Sequence, residues 1–264
     1  MGTVVVGGGD PSEPDPEAAA GPRLVAADDP VVVAATTAVQ TGDLATLDGV
    51  LAAHPWLARA RLGDPECYRT LLHAATDWPG HFPHGMAVIE RLVRAGADIS
   101  APSLFPGHRE TPLHWAASSN DVDVLDALLD AGADIEAPGA VLGGGTALAD
   151  ACGFGNWQAA RRLVERGATT RPKDAAALGL LECLAAAFSG PAAAPDRGEV
   201  TRALWSACHG GQRSAAAYLY DRGGDVSWVG WDQLTPLDVA EQGDDQQLTA
   251  WLRGLGARNA RELA

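Results

Sequence analysis

Lysine is nearly absent: Lys173 is the only one in 264 residues, and arginine supplies the remaining permanent side-chain cations. With 34 acidic residues against 19 basic ones, the formal charge is −15. That balance repels phosphate backbones, whose binding needs clustered cations that release counterions, so neither nucleic acid nor an anionic membrane is an expected partner. Arginine in place of lysine, with abundant alanine and glycine, matches the coding bias of GC-rich bacterial genomes. Aromatic residues make up only 6%, which suits close-packed short helices better than a sandwich of branched and aromatic strands. No run approaches the roughly 20 apolar residues needed to cross a bilayer. The amino terminus lacks the basic start and apolar core of a secretory signal, so a cytoplasmic protein is expected. Cys67, Cys152, Cys183 and Cys208 contain no CxxC pair, which argues against a zinc knuckle or redox dithiol and for reduced, mostly packed thiols.

Residues 1–29 carry VVVGGGD followed by PSEPDPE, with little to bury, and are expected to be a disordered acidic tail. Gly7, Gly8 and Gly9 follow three valines but lack the full GxGxxG spacing and a following amphipathic helix, so no nucleotide cofactor is expected.

From residue 30 to 264 the chain repeats itself. Thr111-Pro112-Leu113-His114-Trp115-Ala116-Ala117 is followed by VDVLDALLDAGADI, and the pattern returns as Thr70-Leu71-Leu72-His73-Ala74-Ala75 with Gly96-Ala97-Asp98. It recurs at Thr146-Ala147-Leu148, Arg202-Ala203-Leu204-Trp205 and Thr235-Pro236-Leu237-Asp238, with degenerate copies aligned through Gly42 and Gly179. First positions at 33, 70, 111, 146, 170, 202 and 235 give intervals of 37, 41, 35, 24, 32 and 33. This pattern resembles the ankyrin repeat, with its T-P-L-H-x-A signature and period of about 33. The resemblance implies an all-α solenoid of about seven helix-turn-helix units with projecting β-turn fingers and a concave partner-binding face.

The residue chemistry agrees. Threonine caps the first helix, proline suits its first turn, and paired alanines let neighbouring helices approach. In LDALL the apolar residues fall three and four apart and form one stripe. No single unit buries that stripe, so the copies must stack. The resemblance assigns His73 and His114 to hydrogen bonds within and between units, whereas Trp205, Asp238 and Ala149 replace that histidine elsewhere.

Departures from the repeat mark the candidate sites. In family geometry the groove positions are Asp77 and Trp78, Ser118 and Ser119, Gly153 and Phe154, then His209 and Gly210. Thr70 to Leu92 spans 22 positions where Thr111 to Leu128 spans 17, so five extra residues lie within TDWPGHFPHGM. Its prolines and glycines predict an early helix end and a loop presenting Asp77, Trp78, His81, Phe82 and His84. His81 and His84 form HxxH but lack an obvious fixed third ligand, so no metal site is expected. The stretches SAPSLFPGHRE and EAPGAVLGGG read as long, flexible fingers, and DVSWVGWDQL offers Trp228 and Trp231 as interface anchors. No GxSxG turn is present, and Cys208 and His209 point about 100° apart on a helix, which leaves no compelling catalytic constellation. The expected function is protein or peptide binding through the concave face. The alternative is a small-molecule site or enzyme whose pocket the 76–86 loop closes, with Asp77, Trp78, His81 and His84 set against Trp115, Ser118 and Asp150.

Overall fold

The structure is a computed structural model that describes residues 21–141, 143–188 and 196–263. Its helices are α1 (Pro30–Thr41), α2 (Leu44–Ala53), α3 (Leu71–Thr76), α4 (Gly85–Arg94), α5 (Pro112–Ser118), α6 (Val122–Asp130), α7 (Ala147–Gly153) and α8 (Trp157–Glu165). They continue as α9 (Pro172–Leu178), α10 (Leu181–Phe188), α11 (Arg197–His209), α12 (Arg213–Tyr220), α13 (Pro236–Gln242), α14 (Gln246–Gly254) and α15 (Ala260–Leu263). Helices α1 to α14 form consecutive pairs. The first members, α1, α3, α5, α7, α9, α11 and α13, pack on one another in series and make an inner layer. The second members cover them on one side, and connecting loops run between pairs.

The caps follow the sequence logic. Thr70, Thr111 and Thr235 each sit in extended backbone at a helix start and form a capping box with the residue three positions on, His73, His114 or Asp238. In the fifth pair Arg171 takes that place, one residue later than the Thr170 register, and Asp174 closes the box. The stripe of α6 is buried as its spacing requires, through Val124, Leu125 and Leu128. Burial divides into two clusters, one from Val25 to Leu178 and one from Ala175 to Ala257, and Leu180 packs against both.

The described residues also contain a small sheet, which an all-α reading omits. Strand β1 (Leu24–Val25) runs parallel to β2 (Arg61–Gly63), and β2 pairs antiparallel with β3 (Tyr68–Arg69). Residues 21–29, read from sequence as the end of a tail, therefore belong to the fold. Arg23 lies over the Trp56 ring at 4.3 Å, Val25 is buried, and Asp29 caps α1 by accepting from Val31 N–H at 2.8 Å. Residues 1–20 of the expected tail lie outside the described residues.

The loop between α4 and α5 continues this sheet instead of hanging free. Tyr68 and Leu104 exchange backbone hydrogen bonds of 2.9 and 2.8 Å, and Ser103, fully buried, donates its N–H to Glu110 O at 2.7 Å. The loop between α6 and α7 is locked on it, because a Cβ at Gly139 would stand 2.1 Å from Arg109 O. Only glycine permits that approach.

Candidate functional site

The insertion after α3 is wedged between neighbouring pairs and splits the residues it carries between two faces. On one side a Cβ at Gly42 would meet Pro83 O at 2.3 Å; on the other, a Cβ at Gly80 would meet the Ser119 Cβ at 2.8 Å. His81 N–H donates to Asp121 Oδ2 at 2.6 Å, and Ser119 Oγ donates to Thr76 O at 3.2 Å. Clamped this way, the loop turns Asp77 and Trp78 toward the inner helices. His81 and His84 go to the opposite side, where they line a separate hollow of about 480 Å³ with Met86, Glu90 and Asp123. The His81 side chain is 63% exposed, and its Nδ1 lies 3.8 Å from Asp121 Oδ1.

A cavity of about 520 Å³ gathers Asp77, Trp78, Glu110, Trp115, Ser118 and Phe154 from three successive units. Ser119, Val141 and Asn156 complete it. Trp78 is 81% exposed and Phe154 50% exposed, so large apolar groups stand in solvent around a polar floor. That floor is Glu110, only 6% exposed. Its Oε2 accepts from Trp115 Nε1–H at 3.1 Å and lies 2.8 Å from His108 Nδ1. His108 stacks on Phe105 with centroids 5.4 Å apart, and Trp115 and His73 meet in a T-shaped contact at 4.9 Å. Asp77 is ion-paired with Arg69 and accepts from Trp78 N–H at 2.9 Å, which fixes where the exposed indole leaves the chain. Asn156 holds the far wall by donating to Ala117 O and Ser118 O at 3.0 and 2.7 Å.

Beneath the cavity the repeat histidines tie each unit to the next. Thr70 N–H reaches His73 Nδ1 at 3.2 Å, so Nδ1 is the acceptor and Nε2 carries the proton that meets Glu110 O at 2.9 Å. His114 does the same between Thr111 N–H at 3.2 Å and Gly145 O at 3.4 Å. Burial disfavours the imidazolium and pulls both down to about 4, against the opposing pull of the Glu110 and Gly145 carbonyls. Where Trp205 replaces histidine, its indole Nε1–H donates to Leu234 O at 2.9 Å. Leu234 immediately precedes Thr235, just as Glu110 precedes Thr111 and Gly145 precedes Thr146. Different side chains therefore reach the same carbonyl position. Asp238, in the last such place, instead takes Asn259 Nδ2 at 2.7 Å and Ala260 N–H at 2.9 Å from the C-terminal segment.

Trp205 also begins a run of rings over the later units. His209 lies 5.3 Å from Trp157 and 5.3 Å from Trp205; Trp231 is 4.9 Å from Trp205 and 5.5 Å from Trp228. Trp231 is 40% exposed, whereas Trp228 is partly buried and packs on the core. The pair thus divides into an exposed ring and one packed on the core. Burial lowers the His209 pKa, opposed by the carbonyls of Gly153 and Cys152.

Of the residues singled out in sequence, Asp77, Trp78, Trp115 and Ser118 share one cavity. His81 and His84 do not join them, and Asp150 is fully buried in α7. His209, Trp228 and Trp231 form a second aromatic group further along the stack. Sequence reasoning missed Glu110 and His108, although the indole N–H of Trp115 called for an acceptor nearby. Cys152 and Cys208 are buried and their thiol pKa values raised by desolvation, that of Cys208 to about 12, which makes them poor nucleophiles. Among the described residues no group of three or more His, Cys, Asp or Glu is placed to hold a metal ion, and no helix is long and apolar enough to cross a membrane.

A search of curated proteins found no match to the chain. A family model described as ankyrin repeats in three copies matches residues 37–174, more than half of the sequence. That stretch contains the helices capped by Thr70 and Thr111, the His73 and His114 ties and the insertion described above. The chain belongs to the ankyrin-repeat family, whose members are generally protein–protein interaction modules.

Proposed function

We propose that the chain is a cytosolic interaction module that binds a protein or peptide segment along the concave face of a seven-unit stack. The repeat reading extends past the matched stretch through the pairs α9–α10, α11–α12 and α13–α14. The Trp205 and Asp238 ties support it by doing the work of the repeat histidines there. The observation that carries the binding reading is the pairing of exposed Trp78 and Phe154 across one cavity with Trp115 at its wall. Exposed aromatics of this kind are interface anchors, because they bury much area at small rotamer cost. Stacking alone needs neither ring in solvent. The excess of acidic groups favours a basic segment over a phosphate-bearing partner.

Selection from an unbiased twelve-residue peptide display library is the test, with binding then measured for the native protein and for Trp78→Ala/Phe154→Ala. The double variant is expected to lose at least tenfold in affinity with an unchanged melting temperature. Selected peptides that bind both proteins equally would overturn the placement of the site.

A further inference from the structure

We propose that the Trp78 cavity seats an arginine side chain of the bound segment; this rests on the peptide-binding reading and names its anchor. The first reason is Glu110. Its carboxylate is almost wholly buried, its Oε2 is held by Trp115 and lies against His108, and its Oε1 accepts no hydrogen bond among the described residues. No arginine or lysine contacts it there. A largely buried carboxylate that lines a cavity with one oxygen unpaired within the protein can accept a donor from outside.

The walls specify the donor. Ser118 Oγ, also buried, has no hydrogen-bond partner and adds a second acceptor. Trp78, Trp115 and Phe154 line the cavity with aromatic rings. A guanidinium is planar and weakly hydrated, stacks on such faces and carries five donors in a fixed fork, whereas an ammonium is a compact, strongly hydrated point charge. Asp77 is already neutralised by Arg69, whereas Glu110 has only the His108 imidazole beside it, so Glu110 is the carboxylate left to recognise a permanent cation. The overall charge of −15 draws basic segments to the surface before docking.

Peptides selected on the native protein are expected to carry arginine at one fixed position. Replacing that arginine by citrulline, which keeps the shape and removes the charge, should weaken binding at least tenfold, as should lysine. Glu110→Gln should weaken the arginine peptide to the same degree with an unchanged circular dichroism spectrum; the citrulline comparison holds even if that variant does not fold. Peptides that lose binding on Trp78→Ala/Phe154→Ala yet tolerate citrulline, accept lysine equally or show no arginine preference would overturn this inference alone. Peptides indifferent to the double variant would instead overturn the docking reading beneath it.

Discussion

Replacing His73 with alanine removes at once the cap bond within its unit and the donor that reaches the next. His73 is fully buried, and its ring accepts Thr70 N–H at 3.2 Å while donating to Glu110 O at 2.9 Å. The acceptor side survives the loss, because Glu110 O also receives Ser103 N–H at 2.7 Å and Ser103 Oγ–H at 3.0 Å. The donor side does not: Thr70 N–H is left buried and unpaired, at a cost of about 1–3 kcal/mol. The void left by the ring adds about 1–2 kcal/mol, since its rigid surroundings collapse only in part. The sum, about 2–5 kcal/mol, should lower the urea midpoint by about 0.7–1.7 M at a slope of roughly 3 kcal/mol/M, read by circular dichroism at 222 nm. His81→Asn, on an exposed side chain whose left-handed backbone asparagine tolerates, should change stability by no more than about 0.5 kcal/mol. Equal midpoints for the two variants would refute the claim that the repeat histidines, and not the insertion loop, hold the stack.

The same histidines set a pH dependence. Their folded pKa values of about 4 lie below the ordinary 6.5, so the unfolded chain binds more protons in that window and stability falls as pH drops through it, by up to about 3 kcal/mol per histidine. Asp174, whose pKa burial raises, works the other way over its own range. Urea midpoints at pH 7 and 5 should therefore differ, and less so in His73→Ala; a flat profile would contradict the assignment. Trp205→Phe keeps an aromatic side chain but removes the donor to Leu234 O and leaves a small void, so it should cost about 1–2 kcal/mol against about 3–5 for Trp205→Ala; equal losses would deny the aromatic packing any role. Deleting residues 1–29 should cost about 3 kcal/mol more than deleting 1–20, from the burial of Val25 and the Asp29 cap. Identical melting curves for the two truncations would remove residues 21–29 from the fold.

What the sequence made legible is what repeats. Threonine caps, the apolar stripe of α6 and the buried histidines recur at fixed offsets, so each copy corroborates the others. Interactions that cross units were harder to read. The acceptor for Trp205 comes from Leu234, 29 positions away, and only the register of the following unit identifies it. Strand β1 has two residues, and its partner Arg61 stands 37 positions from Leu24, which leaves no local pattern to detect. The insertion was visible as excess length, but the direction of its side chains depends on how closely Gly80 approaches Ser119 and Gly42 approaches Pro83. Read as a single loop, Trp78 and His81 share one face; clamped on both sides, they part. Glu110 escaped notice because its importance comes from Trp115 and His108 converging on one oxygen, an arrangement no spacing records.

The central claim is that a peptide segment docks on the inner helices around the Trp78 cavity. Its most direct test is a photo-cross-link from a library-selected peptide carrying benzophenone beside its anchor residue, with the modified sites located by mass spectrometry. The account predicts attachment within residues 77–78, 115–119 and 154–156, the segments that meet at the cavity. Attachment instead to the outer helices α4, α6 or α8 would contradict it.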